Sequence, residues 1–233
     1  MKKILLVIPA YNEEESIINT LESIENFKKS EKLTFQLDYL VVNDGSKDST
    51  AELVRSKGVK MIDMSVNLGL TGGFMAGMKY AARNKYDAVI QFDADGQHLP
   101  EHISDMVAAY ESGANVVIGS RFFTRKRPNS LRMFGNILIS LAIKITTGKT
   151  IKDPTSGMRL FDSNTIHFYI NNSNMSPEPE TVSFLIKKGF VTQEVQVTMK
   201  DRFGGESYFN FKRSIQYMTR VVISILILQP FRK

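Results

Sequence analysis

Two aspartates one residue apart, Asp93 and Asp95, directly follow the apolar residues 89–92. Carboxylate oxygens are the ligands that hard divalent cations prefer, and such a cation can neutralise the diphosphate of a nucleotide. Asp and Gly are also ordinary turn residues, so the same pattern fits a strand that ends in a polar turn. Whether the pair forms a metal site therefore depends on the elements around it.

Apolar runs that end in polar loops recur through the first half of the chain. The predicted strands cover residues 3–8, 35–42, 59–64, 88–92 and 116–118. Between the strands, helices are predicted over residues 13–27 and 49–57, and another is predicted to open at Gly72. This alternation predicts an α/β fold with a Rossmann-like, mostly parallel central sheet and helices on both faces.

Polar loops follow four of these strands, at residues 9–13, 43–46, 67–73 and 93–98. Parallel strands bring their carboxyl ends to one edge of a sheet, and open α/β sheets bind ligands there. Four such loops together predict a site large enough for a nucleotide. The glycine patterns of dinucleotide-binding and P-loop enzymes are absent from the sequence, which disfavours both classes.

Composition is that of a globular protein, with 42% hydrophobic and 23% charged residues among 233. No cysteine is present, which suits a reducing cytosol. The first apolar run is too short for an export signal, because Pro9 and three glutamates follow it. No window contains the roughly 20 apolar residues that span a bilayer, so a cytoplasmic location is expected.

Charge is distributed unevenly along the chain. Residues 1–120 carry 12 basic and 17 acidic residues, whereas residues 121–233 carry 18 basic and 7 acidic ones. An acidic half suits a metal site, and a basic half suits phosphate or an anionic membrane surface. We predict a catalytic domain over residues 1–210, in which residues 1–120 form a nucleotide and metal half and residues 121–210 an acceptor half.

In two segments of the basic half, 130–145 and 212–228, a polar residue occurs at every fourth position. As helices, both segments would have a narrow polar stripe and a wide apolar face. This pattern predicts amphipathic helices, and residues 211–233 are predicted to form a C-terminal membrane-interface helix. The protein would then be peripheral at the inner face of the cell membrane. Core packing, or a seam between copies in a homo-oligomer, would produce the same pattern.

The motifs match a known family in order and spacing. They are Ile8-Pro9-Ala10-Tyr11-Asn12-Glu13-Glu14, Val42-Asn43-Asp44-Gly45-Ser46, Asn67-Leu68-Gly69, Phe92-Asp93-Ala94-Asp95-Gly96-Gln97-His98 and Gly119-Ser120-Arg121. Together they resemble inverting family 2 glycosyltransferases of the glycosyltransferase A (GT-A) fold. Within that family the chain is most similar to the branch of dolichyl-phosphate mannose synthase and bacterial polyprenyl-phosphate glycosyltransferases.

The resemblance implies a donor site for a nucleoside diphosphate sugar, with UDP favoured over GDP. The residues that it places around the donor are Pro9, Tyr11, Glu13, Asp44, Asn67, Asp93, Ala94, Asp95, Gln97 and Arg202. Of these, Asp93, Asp95 and Gln97 would hold Mg²⁺ or Mn²⁺ against the diphosphate. Arg202 lies in a block similar to the family's Arg-x-x-Gly-x-Ser loop, although Tyr208 stands where a lysine often follows.

The resemblance also implies an acceptor, the phosphate of a polyprenyl lipid such as undecaprenyl phosphate. Arg121 and Arg132 are the residues expected to bind that phosphate. Asn136 stands at a position where relatives often have a serine. A phosphate monoester is already ionised near neutral pH, so it needs positioning more than deprotonation. A saccharide hydroxyl as acceptor would instead require a carboxylate base, for which Asp153 is the first candidate and Glu180 the second.

Three other classes of function would account for parts of this sequence. A nucleotidyltransferase would use a similar sheet, but its glycine- and lysine-rich loop after the first strand is not visible. A non-catalytic nucleotide-binding module would have little need for both aspartates with Gln97 and Arg202. The pI of about 9.4 could suggest nucleic-acid binding, but the sequence contains no recognised nucleic-acid-binding motif. We therefore expect that nucleic acid is not a partner.

Overall fold

The fold is given by a computed structural model that describes residues 1–128, 131–172, 175–200 and 211–229, without the side chains of 131–132 and 211–215. Its strands are β1 (Lys3–Ala10), β2 (Gln36–Asn43), β3 (Met61–Asp63), β4 (Ala88–Gln91), β5 (Val116–Ser120), β6 (Arg159–Asp162) and β7 (Thr192–Gln196). Its helices are α1 (Ile17–Ser30), α2 (Thr50–Ser56), α3 (Gly69–Arg83), α4 (His102–Glu111), α5 (Leu131–Thr147), α6 (Ser163–Ile170), α7 (Pro179–Lys187) and α8 (Phe211–Ile223), which continues as a π-helical turn over Ser224–Leu228.

The described strands form one seven-stranded sheet in the order β3-β2-β1-β4-β6-β5-β7. Six strands run in the same direction, and β6 runs antiparallel to both of its neighbours, β4 and β5. The prediction of a mostly parallel sheet is therefore confirmed. The reversal at β6 places the residues that precede it at the same sheet edge as the carboxyl ends of β4 and β5.

Strand β1 shows why the sheet is covered on both faces. Its residues Ile4, Leu6 and Ile8 pack into one hydrophobic cluster, while Leu5 and Val7 pack into another on the opposite face. Helices α1, α2 and α4 contribute to the first cluster, and α3, α5, α6, α7 and α8 to the second. A strand buried on both faces must be apolar throughout, which explains the unbroken apolar run near the N-terminus.

The sequence predicts a helix over residues 182–188 and a strand over 191–197, which correspond to α7 and β7, but it does not predict α4, β6 or α6. Helix α4 has Ile103, Met106 and Val107 on its buried face, a spacing that the sequence did contain. Strand β6 begins with an arginine and ends with an aspartate, so it lacks an apolar pattern. Helix α6 follows β6 without a loop, because Asp162 caps it by accepting a hydrogen bond from the Thr165 N–H at 2.8 Å.

Two helix starts also differ from prediction. Helix α1 begins at Ile17 and not at residue 13, because the Glu13 N–H donates to Oγ1 of Thr50 at 2.8 Å and ties that stretch to the loop after β2. Helix α3 begins at Gly69, three residues before the expected start. The later start of α1 leaves more of the loop after β1 at the edge of the sheet. The earlier start of α3 instead takes residues 69–73 of the predicted polar loop into the helix.

Helix α3 approaches β1 so closely that only glycine fits at residue 77. A Cβ at Gly77 would lie 2.3 Å from Cγ1 of Val7, whereas a Cβ at Gly73 would meet only atoms at 3.8 Å. We expect Gly77→Ala to lower the free energy of unfolding by about 1–3 kcal/mol through overpacking. Gly73→Ala in the same helix is expected to raise it by up to about 1 kcal/mol, since alanine favours helix. Urea unfolding of both variants measures the difference, and equal effects would contradict the packing explanation.

Candidate active site

The polar loops that follow β1, β2, β3 and β4 meet at one edge of the sheet, as the parallel register requires. The Asp44 N–H donates to the carbonyl of Ala10 at 2.9 Å, which extends the pairing of β1 and β2 into their loops. Asp44 is buried, and its Oδ1 accepts a hydrogen bond from the Leu68 N–H at 2.8 Å. The structure thus joins the loops that carry Tyr11, Asp44 and Asn67.

The turn after Asp44 depends on a glycine. Gly45 has a φ of +70°, and a Cβ there would lie 2.8 Å from the carbonyl carbon of Val66 and 2.9 Å from the Asn67 nitrogen. Any side chain would push the β3 loop away from the β2 loop. The close approach keeps Asn67 beside Asp44, where it accepts the Gly69 N–H at 3.1 Å.

The loop after β1 is fixed by reciprocal hydrogen bonds. The Asn12 N–H donates to Oγ of Ser46 at 3.0 Å, and the Lys47 N–H donates to Oδ1 of Asn12 at 2.8 Å. Oε2 of Glu13 accepts the Ser16 hydroxyl at 2.7 Å. A depression of about 340 Å³ lies beside this loop and is lined by Asn12, Glu13, Glu14, Glu15, Ser16, Lys47 and Asp48. Of the other residues predicted to hold the nucleotide, Pro9 and Tyr11 are half-buried.

The two aspartates follow β4 in a tight turn. Oδ1 of Asp95 accepts the Gln97 N–H at 3.0 Å, and Gly96 has a φ of +77°. The side chain of Asp93 is 36% exposed, whereas Asp95 is 9% exposed and Ala94 is buried. Nε2 of Gln97 faces the Lys200 carbonyl at 3.4 Å, which leaves its amide oxygen as the third ligand atom of the predicted set.

This donor set fits a small divalent cation that is shared with a nucleotide. No group of three or more His, Cys, Asp or Glu side chains with metal-binding geometry occurs among the described residues. A Mg²⁺ or Mn²⁺ ion that binds together with a nucleotide needs fewer protein ligands, because one or two carboxylates hold the ion and substrate phosphates complete its coordination shell. Asp93, Asp95 and the Gln97 amide oxygen are the residues that would hold it.

An ion pair lies across the edge from the aspartates, between Arg121 after β5 and Asp153 in the loop before β6. Nε and Nη2 of Arg121 donate to Oδ2 and Oδ1 of Asp153 at 2.7 and 2.8 Å, a bidentate arrangement. The Arg121 N–H, Asn136 Nδ2 and the Thr155 hydroxyl donate to the same carboxylate at 3.0, 3.0 and 3.2 Å. Asp153 is fully buried, so its carboxylate has no access to a substrate hydroxyl.

The remaining residues predicted for the acceptor side are described only in part. Asn136 is buried on α5, the helix to which Arg132 also belongs, but the Arg132 side chain is not among the described residues. Arg202 and Tyr208 lie outside the described residues altogether. The chain reaches them from Thr198–Lys200, where Met199 pairs with His98 as an isolated antiparallel bridge and the Lys200 N–H donates to the Gln97 carbonyl at 3.0 Å.

A second group of polar side chains lies where α7 begins, beneath α8. Glu178 accepts a hydrogen bond from the Tyr217 hydroxyl, and Oε2 of Glu180 is buried without a partner in the described part of the chain. Arg159, the first residue of β6, is buried and donates to the Pro154 carbonyl at 2.8 Å. Burial raises the pKa of Glu180 above its ordinary value, and the neighbouring Glu178 acts in the same direction.

The raised pKa of Glu180 has a consequence for stability. The folded protein binds the proton of Glu180 more tightly than the unfolded chain does, so folding loses stability as pH rises from the ordinary value of 4.5 through the folded pKa. We expect Glu180→Gln to be more stable than the wild type at pH 8 and equal to it at pH 4. Urea unfolding at both pH values tests this, with the exposed Glu111→Gln as control; a benefit that is the same at both values would contradict it.

Comparison with known proteins agrees with this arrangement. The family described as Glycosyl transferase family 2 matches residues 5–168. The undecaprenyl-phosphate mannosyltransferase of Micrococcus luteus is 28% identical over 218 residues, which cover 88% of this chain and 86% of that protein. The undecaprenyl-phosphate 4-deoxy-4-formamido-L-arabinose transferase of Proteus mirabilis is 30% identical over 227 residues, 94% of this chain and 66% of its own length.

Among solved structures, the glucosyl-3-phosphoglycerate synthase of Mycobacterium tuberculosis in complex with Mn²⁺, uridine diphosphate and phosphoglyceric acid superposes with a TM-score of 0.68. The match covers 98% of this chain and 78% of that chain at 17% identity, a likeness of fold alone. The family match covers most of β1, all of β2 to β6, and the loops that follow β1 to β5. The chain therefore belongs to glycosyl transferase family 2 and is a glycosyltransferase of the GT-A fold.

Proposed function

We propose that the protein transfers a hexose from a UDP-sugar to a polyprenyl phosphate, with inversion at the anomeric carbon. The observation that carries the choice of acceptor is the state of Asp153, the first candidate for a base. Its carboxylate is fully buried and accepts five hydrogen bonds, three of them from Arg121. A site that has an arginine here and no accessible base at Asp153 suits an acceptor that is already an anion.

The donor side of the proposal rests on the loops after β1 to β4. Tyr11, Glu13 and Asp44 hold the base and ribose, with Pro9 and Asn67 beside them, and Asp93, Asp95 and Gln97 hold Mg²⁺ or Mn²⁺. When bound there, such a cation would stabilise the negative charge on the leaving nucleoside diphosphate. Arg202 contributes a further contact to the diphosphate as the family resemblance implies.

On the acceptor side, Asp153 orients Arg121 for the lipid phosphate. Nε and both hydrogens of Nη2 are used by Asp153 and by Oγ1 of Thr155, so Nη1 is the nitrogen that presents donors to a ligand. Arg132 would add a further phosphate contact, as the family resemblance implies. Buried Asn136 on α5 supports Asp153 by donating to its Oδ1 at 3.0 Å. Relatives named as undecaprenyl-phosphate transferases support this acceptor class, at 28% and 30% identity.

A saccharide hydroxyl is the second candidate acceptor, and the environment of the Glu180 carboxyl group favours it. Its pKa is raised by burial and its Oε2 has no described partner, which are properties of a general base. In that case Glu180→Gln would abolish transfer, whereas transfer to a polyprenyl phosphate would survive the same substitution.

The experiment is transfer from a panel of UDP- and GDP-sugars in the presence of Mn²⁺, with undecaprenyl phosphate or an oligosaccharide as acceptor. Product that forms only with the lipid phosphate, in wild type and in Glu180→Gln, is the expected result. Product that forms only with the oligosaccharide would mean that the acceptor is a saccharide hydroxyl and not a lipid phosphate. Absence of binding to any nucleotide sugar would overturn the donor site as well.

A membrane surface is proposed on the face formed by α5 and the π-helical turn. Helix α5 packs against α8, where Met218 fills the space beside Gly135. It also packs against the π-helical turn that continues α8. The exposed apolar side chains of α5 and the turn are Phe134, Ile137, Leu138, Leu141, Ile145, Leu226, Ile227 and Leu228, and Ile223 at the end of α8 adjoins them. In the described part of the chain no helix is both long and apolar enough to span a bilayer.

We infer that this face rests on the anionic inner surface of the cell membrane, where the lipid acceptor resides. Exposed Lys144 lies on α5 beside the apolar side chains, and residues 121–233 carry the chain's excess of basic charge. Apolar side chains combined with basic ones bind anionic lipid interfaces. In this proposal residues 1–210 are the catalytic domain and residues 211–233 the interfacial helix.

Placing a charge on this face is expected to weaken membrane binding. Burial of a leucine or isoleucine side chain contributes about 1.5–3 kcal/mol, so Leu141→Glu and Ile227→Glu should each lower binding to phosphatidylglycerol vesicles by about tenfold or more. Asn19→Glu adds the same charge to α1, on the opposite face of the sheet, and should bind like the wild type. Unchanged vesicle binding together with dissociation of a homo-oligomer would identify the face as a seam between copies instead.

A further inference from the structure

His98 touches the first aspartate of the metal pair at two points. The Asp93 N–H donates to Nδ1 of His98 at 2.9 Å, and Nε2 of the same ring lies 3.4 Å from Oδ2 of Asp93. His98 is buried, with 4% of its surface exposed, while Asp93 reaches the surface. The imidazole therefore lies behind the carboxylate, on the side away from solvent.

The first of these contacts determines the tautomer. Nδ1 accepts a hydrogen bond from a backbone N–H, so the neutral ring carries its proton on Nε2. Nε2 is the atom that faces Oδ2 of Asp93. A ring nitrogen that donates to a metal-binding carboxylate fixes the direction in which the other oxygen points.

The surrounding chain leaves little freedom to this pair. The His98 ring meets the ring of Phe92 edge-on, with centroids 5.4 Å apart and an interplanar angle of 76°. Gly157 closes the other side, because a Cβ there would lie 2.8 Å from Oδ2 of Asp93 and 3.5 Å from Cε1 of His98. The backbone of His98 is itself held by the bridge to Met199.

We propose that His98 is a positioning residue for the metal site. Its Nε2 lies against Oδ2 of Asp93 at 3.4 Å and limits the rotation of that carboxylate, so that Oδ1 would stay available to the divalent cation that accompanies the nucleotide. This inference rests on the proposed function in one respect, the assignment of Asp93 as a metal ligand. Partners of this kind contribute about 10- to 100-fold to metal affinity.

Two substitutions separate the roles of the ring nitrogens. The side chain of His98→Asn offers an oxygen near the position of Nδ1, so it can accept the Asp93 N–H but cannot reach Oδ2. The side chain of His98→Gln offers an amide N–H near the position of Nε2, so it can hold Oδ2. We expect Gln to retain more Mn²⁺ affinity than Asn, and His98→Ala to lose about 10- to 100-fold.

The readout is binding of Mn²⁺ in the presence of UDP, measured from the electron paramagnetic resonance signal of free Mn²⁺. His102→Gln is the matched control, because His102 lies four residues along and its Nε2 accepts the Thr198 N–H at 2.9 Å without contacting either aspartate of the pair. It should change the affinity by less than a factor of two. Gly157→Ala, which crowds Oδ2 of Asp93 while leaving His98 in place, should weaken Mn²⁺ binding as well.

The outcomes are distinguishable. If Asp95→Ala abolishes Mn²⁺ binding but the His98 variants and Gly157→Ala bind like the wild type, the positioning role is wrong and the donor site stands. If Asn retains more affinity than Gln, the ring serves only the backbone of the loop, and the proposal is overturned. If the wild type binds no Mn²⁺ with UDP, the donor site and the positioning role both fail.

Discussion

Asp95→Asn is expected to lower kcat/KM for sugar transfer by at least about a thousandfold, which corresponds to about 4 kcal/mol of transition-state stabilisation. The substitution removes one of the two carboxylates proposed to hold the cation against the diphosphate, at the point where the leaving group gains charge. The fold should persist, because the amide oxygen of asparagine can still accept the Gln97 N–H that Oδ1 of Asp95 now accepts at 3.0 Å.

The measurement is steady-state transfer from the active UDP-sugar over a range of Mn²⁺ concentrations, with a thermal melt of each variant. Asp105→Asn makes the same chemical change on the exposed face of α4 and is expected to keep the wild-type rate. If Asp95→Asn keeps more than a tenth of the activity, the cation is held elsewhere. Residues outside the edge formed by β1 to β4 would then have to be sought.

Much of the fold could be predicted from the sequence because local patterns determine it. The apolar run of β1 predicts a strand buried on both faces, and the two clusters around Leu5 and Leu6 confirm this. Strand β6 could not be predicted in the same way. It is four residues long, and it forms a strand because β4 and β5 on either side supply its hydrogen bonds, which no local pattern records.

The candidate site likewise contains features that the sequence predicts and features that depend on tertiary contacts. Loops that follow parallel strands must meet, so the grouping of Tyr11, Asp44 and Asp93 at one edge could be predicted from strand order. The pairing of Arg121 with Asp153 could not, because the two residues are 32 positions apart and each has a plausible separate role. His98 was part of a quoted motif, but its contact with Asp93 depends on the space beside Gly157, which only the tertiary structure reveals.

Asp153→Ala is expected to lower the free energy of unfolding by about 3–5 kcal/mol, because it removes one partner of a buried ion pair and leaves the other partner without compensation. Arg121 would lose its bidentate contacts while its side chain remains 77% buried, and Asn136 would lose an acceptor at 3.0 Å. Urea unfolding measures the loss. The exposed pair of Lys57 and Glu22 is the matched control, since Glu22→Ala should cost less than about 1 kcal/mol.

Removal of both partners separates stability from function. The double variant Arg121→Met with Asp153→Leu leaves no uncompensated charge, so it should recover most of the stability that Asp153→Ala loses. It should not recover transfer, because Arg121 is also the proposed contact to the lipid phosphate, and the KM for undecaprenyl phosphate should rise by at least about tenfold. If the double variant recovers both stability and a normal KM, the ion pair serves the fold alone and the acceptor phosphate is held by other residues.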